Sequence, residues 1–162
     1  MKESEFVARY GGIYEHSAWV AEETAGDAVA NEDLEQIAVI MAECVDNAST
    51  ERQLALIRAH PDLAGKAQLA GELTQDSTTE QSKAGLDQCS ADEYAQFQTL
   101  NDRYHEKFGF PFVMAVRAST RAEILTAFAA RLENDAALEF ETALEEIHKI
   151  ARLRLHAMEA SE

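Results

Sequence analysis

The sequence predicts an all-α, single-domain helical bundle over residues 1–162, with one buried extended segment at about residues 109–116. Three observations favour this fold class. The chain has only two prolines and seven glycines, so few residues interrupt a helix. Apolar residues make up 46% of the 162 residues, which suffices for the single core of one ordinary domain. Most of these apolar residues recur at helical spacing.

Caps and apolar stripes define the helices of the N-terminal half. Asn31 can cap a helix. The apolar stripe of that helix is Leu34, Ile37, Met41, Cys44 and Val45. A second helix carries Leu54 and Ile57 and must end before Pro61, because proline disfavours the helical conformation in the residue before it. The stretch from 62 to 75 contains two glycines, which predicts a loop or an irregular pair of helices.

Three further helices are predicted in the C-terminal half. Ser90 caps the first of them. Thr120 and Glu123 form a capping box that opens the second. Asn134 is expected to end that helix, because asparagine tolerates the left-handed conformation in which helices often finish. The last helix starts at about residue 136, and its apolar stripe is Phe140, Leu144, Ile147 and Ala151.

Residues 109–116 do not fit a helix. The run is apolar, rich in residues that favour strands, and broken by glycine and proline. No partner with strand-like alternation occurs elsewhere in the chain. We therefore expect an extended segment buried between helices, whose backbone amides must find other hydrogen-bond partners.

The charge balance excludes several classes of partner. The chain carries 14 Lys and Arg against 30 Asp and Glu, a net charge of −16. Such a surface disfavours nucleic acids and anionic membranes. An anionic small substrate needs a local cationic pocket that overcomes the field of the whole molecule. The longest uncharged apolar run, 108–116, has nine residues, whereas a membrane-spanning helix needs about 20.

The two termini and the cysteines indicate a cytoplasmic protein. The first five residues are mostly acidic and polar, whereas a signal peptide starts with a basic and then an apolar stretch. The last three residues, 160–162, do not form a peroxisomal address. Cys44 and Cys89 have no metal-ligand spacing, so we expect them to be reduced and buried.

Two polar clusters could carry chemistry. His60 stands at a predicted helix end before Pro61, where the helix dipole favours the protonated imidazole and raises its pKa; the alternative is a purely structural cap. Ser77 and Glu80 fit a capping box, or they act with Gln81 at a helix N-terminus as donors and acceptors for a polar ligand. No HExxH, CxxC or close histidine pair occurs, so the sequence predicts no metal site.

Arg154 is the residue that a structural role explains least well. Helical spacing from Ile147 and Ala151 places it on an apolar face, where an unpaired guanidinium is costly to bury. It is either a snorkelling arginine near a frayed C-terminus or an anion clamp, since its fork matches carboxylates. In the second case we expect Glu80, another acidic residue or the substrate to hold it. Its removal should then reduce activity without a collapse in stability.

The remaining histidines are weaker candidates. His16 is predicted either to pack in the core beside Trp19 or to lie at the rim of a site. His105, His148 and His156 stand among polar neighbours, which predicts surface positions.

Four motifs, in this order along the chain, resemble those of the OHCU decarboxylase family, whose enzymes act in urate degradation. The motifs are Tyr10 to Glu22, His60 to Gly65, Ser77 to Leu86, and Phe108 to Val113. The resemblance extends from about Phe6 to Leu155. Ala18 stands where many members carry proline, a difference that concerns a turn rather than the chemistry.

The resemblance implies both an activity and residue roles. The family is helical, is commonly homodimeric, needs no cofactor or metal, and converts 2-oxo-4-hydroxy-4-carboxy-5-ureidoimidazoline (OHCU) to (S)-allantoin and carbon dioxide. By this resemblance His60 is the active-site histidine, Glu80 the essential carboxylate and Arg154 the essential arginine. The implied substrate-binding residues are Pro61, Ser77, Glu80, Gln81, Phe112, Val113, Met114, Ala115 and Val116.

Two other functions stay open at this point. The first is a helical protein-interaction module of the same fold that has lost its chemistry. The presence of His60, Glu80 and Arg154 together argues against that function. The second is a metal-dependent hydrolase that uses the same polar residues, which activity in the presence of a chelator would exclude.

Overall fold

The computed structural model describes residues 1–30, 33–65 and 70–160. In these ranges the secondary structure consists of eight α-helices and one short 3-10 helix, with no β-strand, which confirms the predicted all-α class. The helices are α1 (Glu3–Tyr10), α2 (Trp19–Ala28), α3 (Leu34–Asp46), α4 (Thr50–Arg58), α5 (Gln75–Lys83), α6 (Ala91–Phe108), α7 (Arg121–Arg131) and α8 (Ala136–Ala160), and the 3-10 helix is Leu86–Gln88. Among the described helices, none has the length and hydrophobicity needed to cross a membrane.

The chain divides into two compact units. The first comprises residues 1–59 and 147–162, and the second comprises residues 60–146. Helix α8 therefore contributes its N-terminal part to the second unit and its C-terminal part to the first. A single domain over residues 1–162 stays a prediction.

In the first unit, α2 packs against both α1 and α3. Asp33 caps α3, because its carboxylate accepts a hydrogen bond from the backbone N–H two residues later at 3.0 Å. The predicted cap, Asn31, lies outside the described residues. Ser49 caps α4, which ends at Arg58 and thus before Pro61, as predicted. The buried residues of α3 are Ile37, Met41 and Val45, all from the predicted stripe.

In the second unit, α6 packs against α7, and both helices begin as predicted. Ser90 Oγ accepts a hydrogen bond from the backbone N–H of Glu93 at 3.1 Å. Thr120 Oγ1 accepts one from the backbone N–H of Glu123 at 3.2 Å. Both positions are complete capping boxes. Helix α6 ends at Phe108, and its C-cap, Gly109, has a φ of +74°, a left-handed conformation that glycine adopts readily.

The prediction for Asn134 is wrong. Helix α7 ends at Arg131, and its C-cap, Leu132, is right-handed. Asn134 does not adopt a positive φ. Its side chain donates instead to Glu139 Oε2 at 3.0 Å, so a tertiary hydrogen bond replaces the expected local cap.

The extended segment, residues 111–116, forms neither helix nor strand. Phe112, Val113 and Val116 are buried, which agrees with the prediction of a buried extended stretch. The ring of Phe112 stacks on that of Phe128 from α7, with centroids 3.9 Å apart. Aromatic packing thus anchors the segment in the core of the second unit.

The net charge predicts a salt-dependent stability. We expect the melting temperature to rise between about 0.01 M and about 1 M NaCl, because the screening length falls from about 30 Å to about 3 Å and sixteen excess negative charges repel one another less. Exposed ion pairs such as Arg52–Glu23 and Arg152–Glu35 contribute little, so their screening should not reverse the sign. Thermal unfolding followed by circular dichroism tests this, and a constant or falling melting temperature would contradict it.

Candidate active site

The predicted active-site histidine lies at the start of a short loop, residues 60–65, called here the His60 loop. His60 is only 8% exposed. Ala64 has a φ of +50°, which alanine rarely adopts. A Cβ on Gly65 would lie 2.8 Å from the Cβ of Asp62, so the chain turns back closely on itself. Local preference does not favour this conformation, and contacts from other elements must hold it.

Helix α5 carries Ser77, Glu80 and Gln81. Its N-cap is Thr74, whose Oγ1 accepts a hydrogen bond from the backbone N–H of Ser77 at 3.2 Å. Ser77 therefore lies inside the helix, and the alternative of a Ser77–Glu80 capping box is wrong. The hydroxyl of either Thr74 or Ser77 could accept a hydrogen bond from the first turn of a helix. Thr74 is the residue that does so, and the helix begins directly after it.

One face of α5 is directed at the His60 loop. Ser77 and Gln81 are buried and lie one helical turn apart, while Glu80 is partly exposed. Gln81 Oε1 accepts a hydrogen bond from the backbone N–H of Ala64 at 3.0 Å, and its Nε2 donates to the carbonyl oxygen of Asp62 at 3.2 Å. Gln81 thereby joins α5 to the loop that contains His60.

Helix α6 holds the same loop through three side chains that were not predicted as functional residues. The bonds are Gln98 Nε2 to the carbonyl oxygen of Ala64 at 2.7 Å, Asn101 Nδ2 to that of Leu63 at 3.0 Å, and His105 Nε2 to Asp62 Oδ1 at 2.7 Å. Their spacing of three and four residues places them on one helix face. This polar stripe is visible in the sequence, but nothing there indicates which element it contacts. His105 is exposed, as predicted, yet it is also paired with the loop.

Charged side chains, rather than a partner strand, hold the extended segment. Arg131 Nη1 donates to the carbonyl oxygen of Val113 at 2.5 Å, and its guanidinium carbon lies 4.4 Å from the centroid of the Phe112 ring. The backbone N–H of Ala115 donates to Glu146 Oε1 at 3.2 Å. The carbonyl of Val113 is thus bound from α7, and the amide of Ala115 finds the kind of partner predicted for this segment in α8.

A buried carboxylate that was not predicted orients Arg131. Glu139 is fully buried and accepts hydrogen bonds from Arg131 Nε at 2.8 Å and from Tyr104 Oη at 2.7 Å. Burial, together with this hydrogen bond, raises the pKa of Tyr104, so the hydroxyl stays protonated and donates. A carboxylate on the inner face of a helix requires such partners, because an unpaired buried charge is strongly destabilising.

Arg154 belongs to the first unit and is buried, with 3% of its surface exposed. Its Nη2 donates to Glu15 Oε2 at 3.0 Å, and its Nη1 donates to the carbonyl oxygen of Ile13 at 3.3 Å. The snorkelling alternative is therefore wrong. Glu15 is the acidic partner, and it is as deeply buried as Arg154. Both acceptors lie in the motif 10–22, so Arg154 gives that motif a structural role.

The other histidines divide into exposed and partly buried residues. His16 is exposed and has a φ of +48°, so the alternative of core packing is wrong. His156 is exposed, as predicted. His148 is less exposed than predicted. Its Nε2 lies 2.9 Å from Asp46 Oδ1, and its Nδ1 lies 2.8 Å from Tyr14 Oη.

The whole chain resembles one protein family. A family model described as OHCU decarboxylase matches residues 1–156. The chain belongs to the OHCU decarboxylase family. A relative from Haloferax volcanii, named 2-oxo-4-hydroxy-4-carboxy-5-ureidoimidazoline decarboxylase, is 43% identical over all of this chain and 94% of its own length. The uric acid degradation bifunctional protein of Bacillus sp. strain TB-90 is 41% identical over 96% of this chain and 30% of its own length.

A solved structure is similar to this chain in both fold and sequence. The crystal structure of (S)-allantoin synthase superposes with a TM-score of 0.77 and 34% identity, and the match covers 97% of this chain. The chain spans half the length of that protein. The similarity shows that this chain shares its fold with a solved structure of that name.

Proposed function

We propose that this protein decarboxylates OHCU to (S)-allantoin and carbon dioxide, as a step of urate degradation. The observation that carries the proposal is the match to the OHCU decarboxylase family over residues 1–156. That range includes the His60 loop and helix α5. The relatives' names give the same substrate and pathway, and the solved structure's name gives the same product.

The substrate itself supplies the electron sink for this reaction. When the bond between the carboxylate and the ring breaks, carbon dioxide leaves and the electron pair stays on the ring carbon. An adjacent imine and carbonyl delocalise that pair. The protein has to hold the ring, accommodate the departing carboxylate, and deliver one proton to one face of the ring. Electrostatic preorganisation and positioning are the means available for these tasks.

Proton delivery is the role we assign to His60. Imidazole titrates close to neutral pH, and a positioned general acid or base typically contributes about 10²–10⁴-fold. A group that moves a proton must also be held in place, and several side chains hold the short loop in which His60 lies.

The remaining assignments concern binding. Glu80 accepts hydrogen bonds from substrate N–H groups, and Pro61, Ser77, Gln81 and residues 112–116 line the substrate. Gln81 already bonds the His60 loop through both ends of its amide. A contact with the substrate therefore uses its second N–H or its second lone pair. Arg154 lies outside the four motifs and is assigned as the essential arginine from the family resemblance, whose matched range of 1–156 includes it.

The decisive experiment uses the chirality of the product. OHCU is generated in situ, and the appearance of (S)-allantoin is followed by circular dichroism. Uncatalysed decay protonates the planar intermediate from both faces and gives no net signal, whereas the enzyme should give a growing signal of one sign. A rate and signal equal to those of the buffer control would refute the proposal and favour the non-catalytic interaction module.

The metal-dependent alternative is tested with the same assay. Within the described ranges, no three His, Cys, Asp or Glu side chains form a group that could hold a metal ion. We expect the rate to be unchanged after dialysis against a chelator, with the metal content measured on the same sample. A rate that falls and returns when a divalent metal is added would favour the hydrolase.

Replacing Glu80 with glutamine should reduce kcat/KM by orders of magnitude and leave the melting temperature near wild type. Because Thr74 caps α5, the change removes no helix cap. The matched control is Thr74→Ala, which should lower the free energy of unfolding by about 0.5–2 kcal/mol. Steady-state kinetics and thermal unfolding distinguish the two variants. A destabilised Glu80→Gln with wild-type kinetics would show that Glu80 has only a structural role.

We also propose that the protein is a homodimer and acts in the cytoplasm. The dimer is suggested by the family resemblance. Cys44 and Cys89 are only half-buried, so the prediction that they are buried is wrong, but both are free thiols, which suits a reducing compartment. Light scattering coupled to size-exclusion chromatography measures the mass in solution, and a mass near 17.9 kDa at micromolar concentration would contradict the dimer. Fractionation of the source cells tests the location.

A further inference from the structure

We propose that Gln98 and Asn101 are positioning residues for His60. Together with Gln81 they form what we call the carboxamide cradle, the three side-chain amides that bind the His60 loop. The inference rests on the proposed function of His60 and adds residues that no motif identified.

The cradle binds three successive carbonyl groups of the loop. The bonds are Gln81 Nε2 to the oxygen of Asp62 at 3.2 Å, Asn101 Nδ2 to that of Leu63 at 3.0 Å, and Gln98 Nε2 to that of Ala64 at 2.7 Å. Gln81 Oε1 also accepts from the backbone N–H of Ala64 at 3.0 Å. Each peptide unit from residue 62 to residue 64 is therefore oriented by a side chain from α5 or α6.

These bonds hold a conformation that the loop does not favour by itself. Ala64 has a φ of +50°, and a residue in this region persists only when its surroundings over-determine it. Without the cradle the loop should relax toward a commoner conformation. Pro61 has a fixed φ, so it offers one backbone torsion instead of two to absorb a shift of the peptide units after it, and the remaining shift reaches His60.

Packing and stability alone do not explain why residue 101 is an asparagine. The residue is 3% exposed, and its Oδ1 accepts no hydrogen bond from the described part of the chain. A buried acceptor without a partner is destabilising, so leucine of similar shape would suit the interior better. The bond from Nδ2 to the His60 loop is the contact that requires an amide at this position.

Loss of the carboxamide cradle should affect kcat more than KM. Gln98 and Asn101 donate hydrogen bonds to the backbone and carry no charge, so they should not alter the protonation of His60. Their loss should lower kcat through the misplacement of His60, while KM and the midpoints of the pH–rate profile stay near wild type. Misplacing a catalytic group by about 1 Å can reduce the rate by about 100-fold.

The first test compares two glutamines of helix α6. Gln98→Met removes the amide but keeps an unbranched side chain of similar size. Gln96→Met makes the same change at an exposed position of the same helix. We expect kcat to fall about 10- to 100-fold for Gln98→Met and to stay at the wild-type value for Gln96→Met. Equal kcat values for the two variants would overturn the proposal, and so would a loss confined to KM.

The second test asks whether the effect passes through His60. In a His60→Asn background, adding Gln98→Met should cause no further loss of the residual rate, because there is no imidazole left to misplace. If the two losses multiply, Gln98 acts independently of His60 and the proposal fails. Should Gln98→Met fold poorly, Asn101→Leu takes its place in the same cycle.

A third measurement does not depend on activity. Hydrogen exchange of the peptide that covers residues 60–65 should be faster in Gln98→Met than in Gln96→Met, with the rest of the chain unchanged. Equal exchange in the two variants would overturn the cradle, whether or not the protein turns over OHCU. If the wild-type protein lacks turnover but the exchange difference is present, the proposed function fails and the cradle remains as the element that holds His60.

Discussion

The His60→Asn variant is expected to fold like the wild-type protein and to lose nearly all decarboxylase activity. Asparagine is close in size to histidine but cannot carry a proton near neutral pH. The carbonyl groups of residues 62–64 are held by side chains of α5 and α6, so the loop conformation should survive the change. A loss of about 10²–10⁴-fold in kcat corresponds to the removal of a general acid or base.

The measurement for His60→Asn combines turnover with far-UV circular dichroism and thermal unfolding. The matched control is His156→Asn, since His156 is an exposed histidine outside the second unit. We expect that control to keep the wild-type rate. If His60→Asn keeps more than about half of the wild-type turnover, where a loss of at least about 100-fold is expected, His60 does not deliver the proton.

Removing the side chain of Arg154 should destabilise the protein strongly, contrary to the expectation from the sequence. Arg154 and Glu15 form an ion pair in which both side chains are only 2% exposed. Arg154→Ala leaves the Glu15 carboxylate buried without this partner, which typically costs about 3–5 kcal/mol. Urea or thermal unfolding measures the loss, and a variant as stable as wild type would contradict the buried pair.

A paired substitution separates the structural role of Arg154 from a role in catalysis. Arg154→Met with Glu15→Gln removes both charges, and a neutral pair of similar volume is often tolerated well. We expect this double variant to recover most of the stability that Arg154→Ala loses. If Arg154 also acts on the substrate, kcat/KM should stay low despite the recovered stability. Recovery of both the stability and kcat/KM would show that Arg154 has a structural role only.

Arg154→Lys completes the series. Lysine keeps the positive charge but lacks the planar fork, with which Arg154 reaches Glu15 and the carbonyl oxygen of Ile13 from two different nitrogens. We expect a sharp fall in activity with part of the stability retained. A fully active Arg154→Lys would show that the fork is not required.

Local interactions explain why much of the fold could be predicted from the sequence alone. Capping boxes at Ser90 and Thr120, the helix stop before Pro61 and the apolar stripe of α3 involve residues within one or two turns of each other. The motifs that carry His60, Ser77 and Glu80 are local in the same sense. Composition and periodicity therefore determined the all-α class, and the order of the motifs indicated the family.

The tertiary structure alone decided which polar residues depend on one another. Thr74 and Ser77 are both suitable caps for α5, and Thr74 is the one used. Asn134 bonds Glu139 rather than ending a helix, and Arg154 meets Glu15 across 139 positions of sequence. The carboxamides of Gln98 and Asn101 reach a loop more than 30 positions away. Helical periodicity shows which face of a helix is polar, but the partner of a buried polar group depends on how distant segments pack, and a single sequence contains no direct record of that packing.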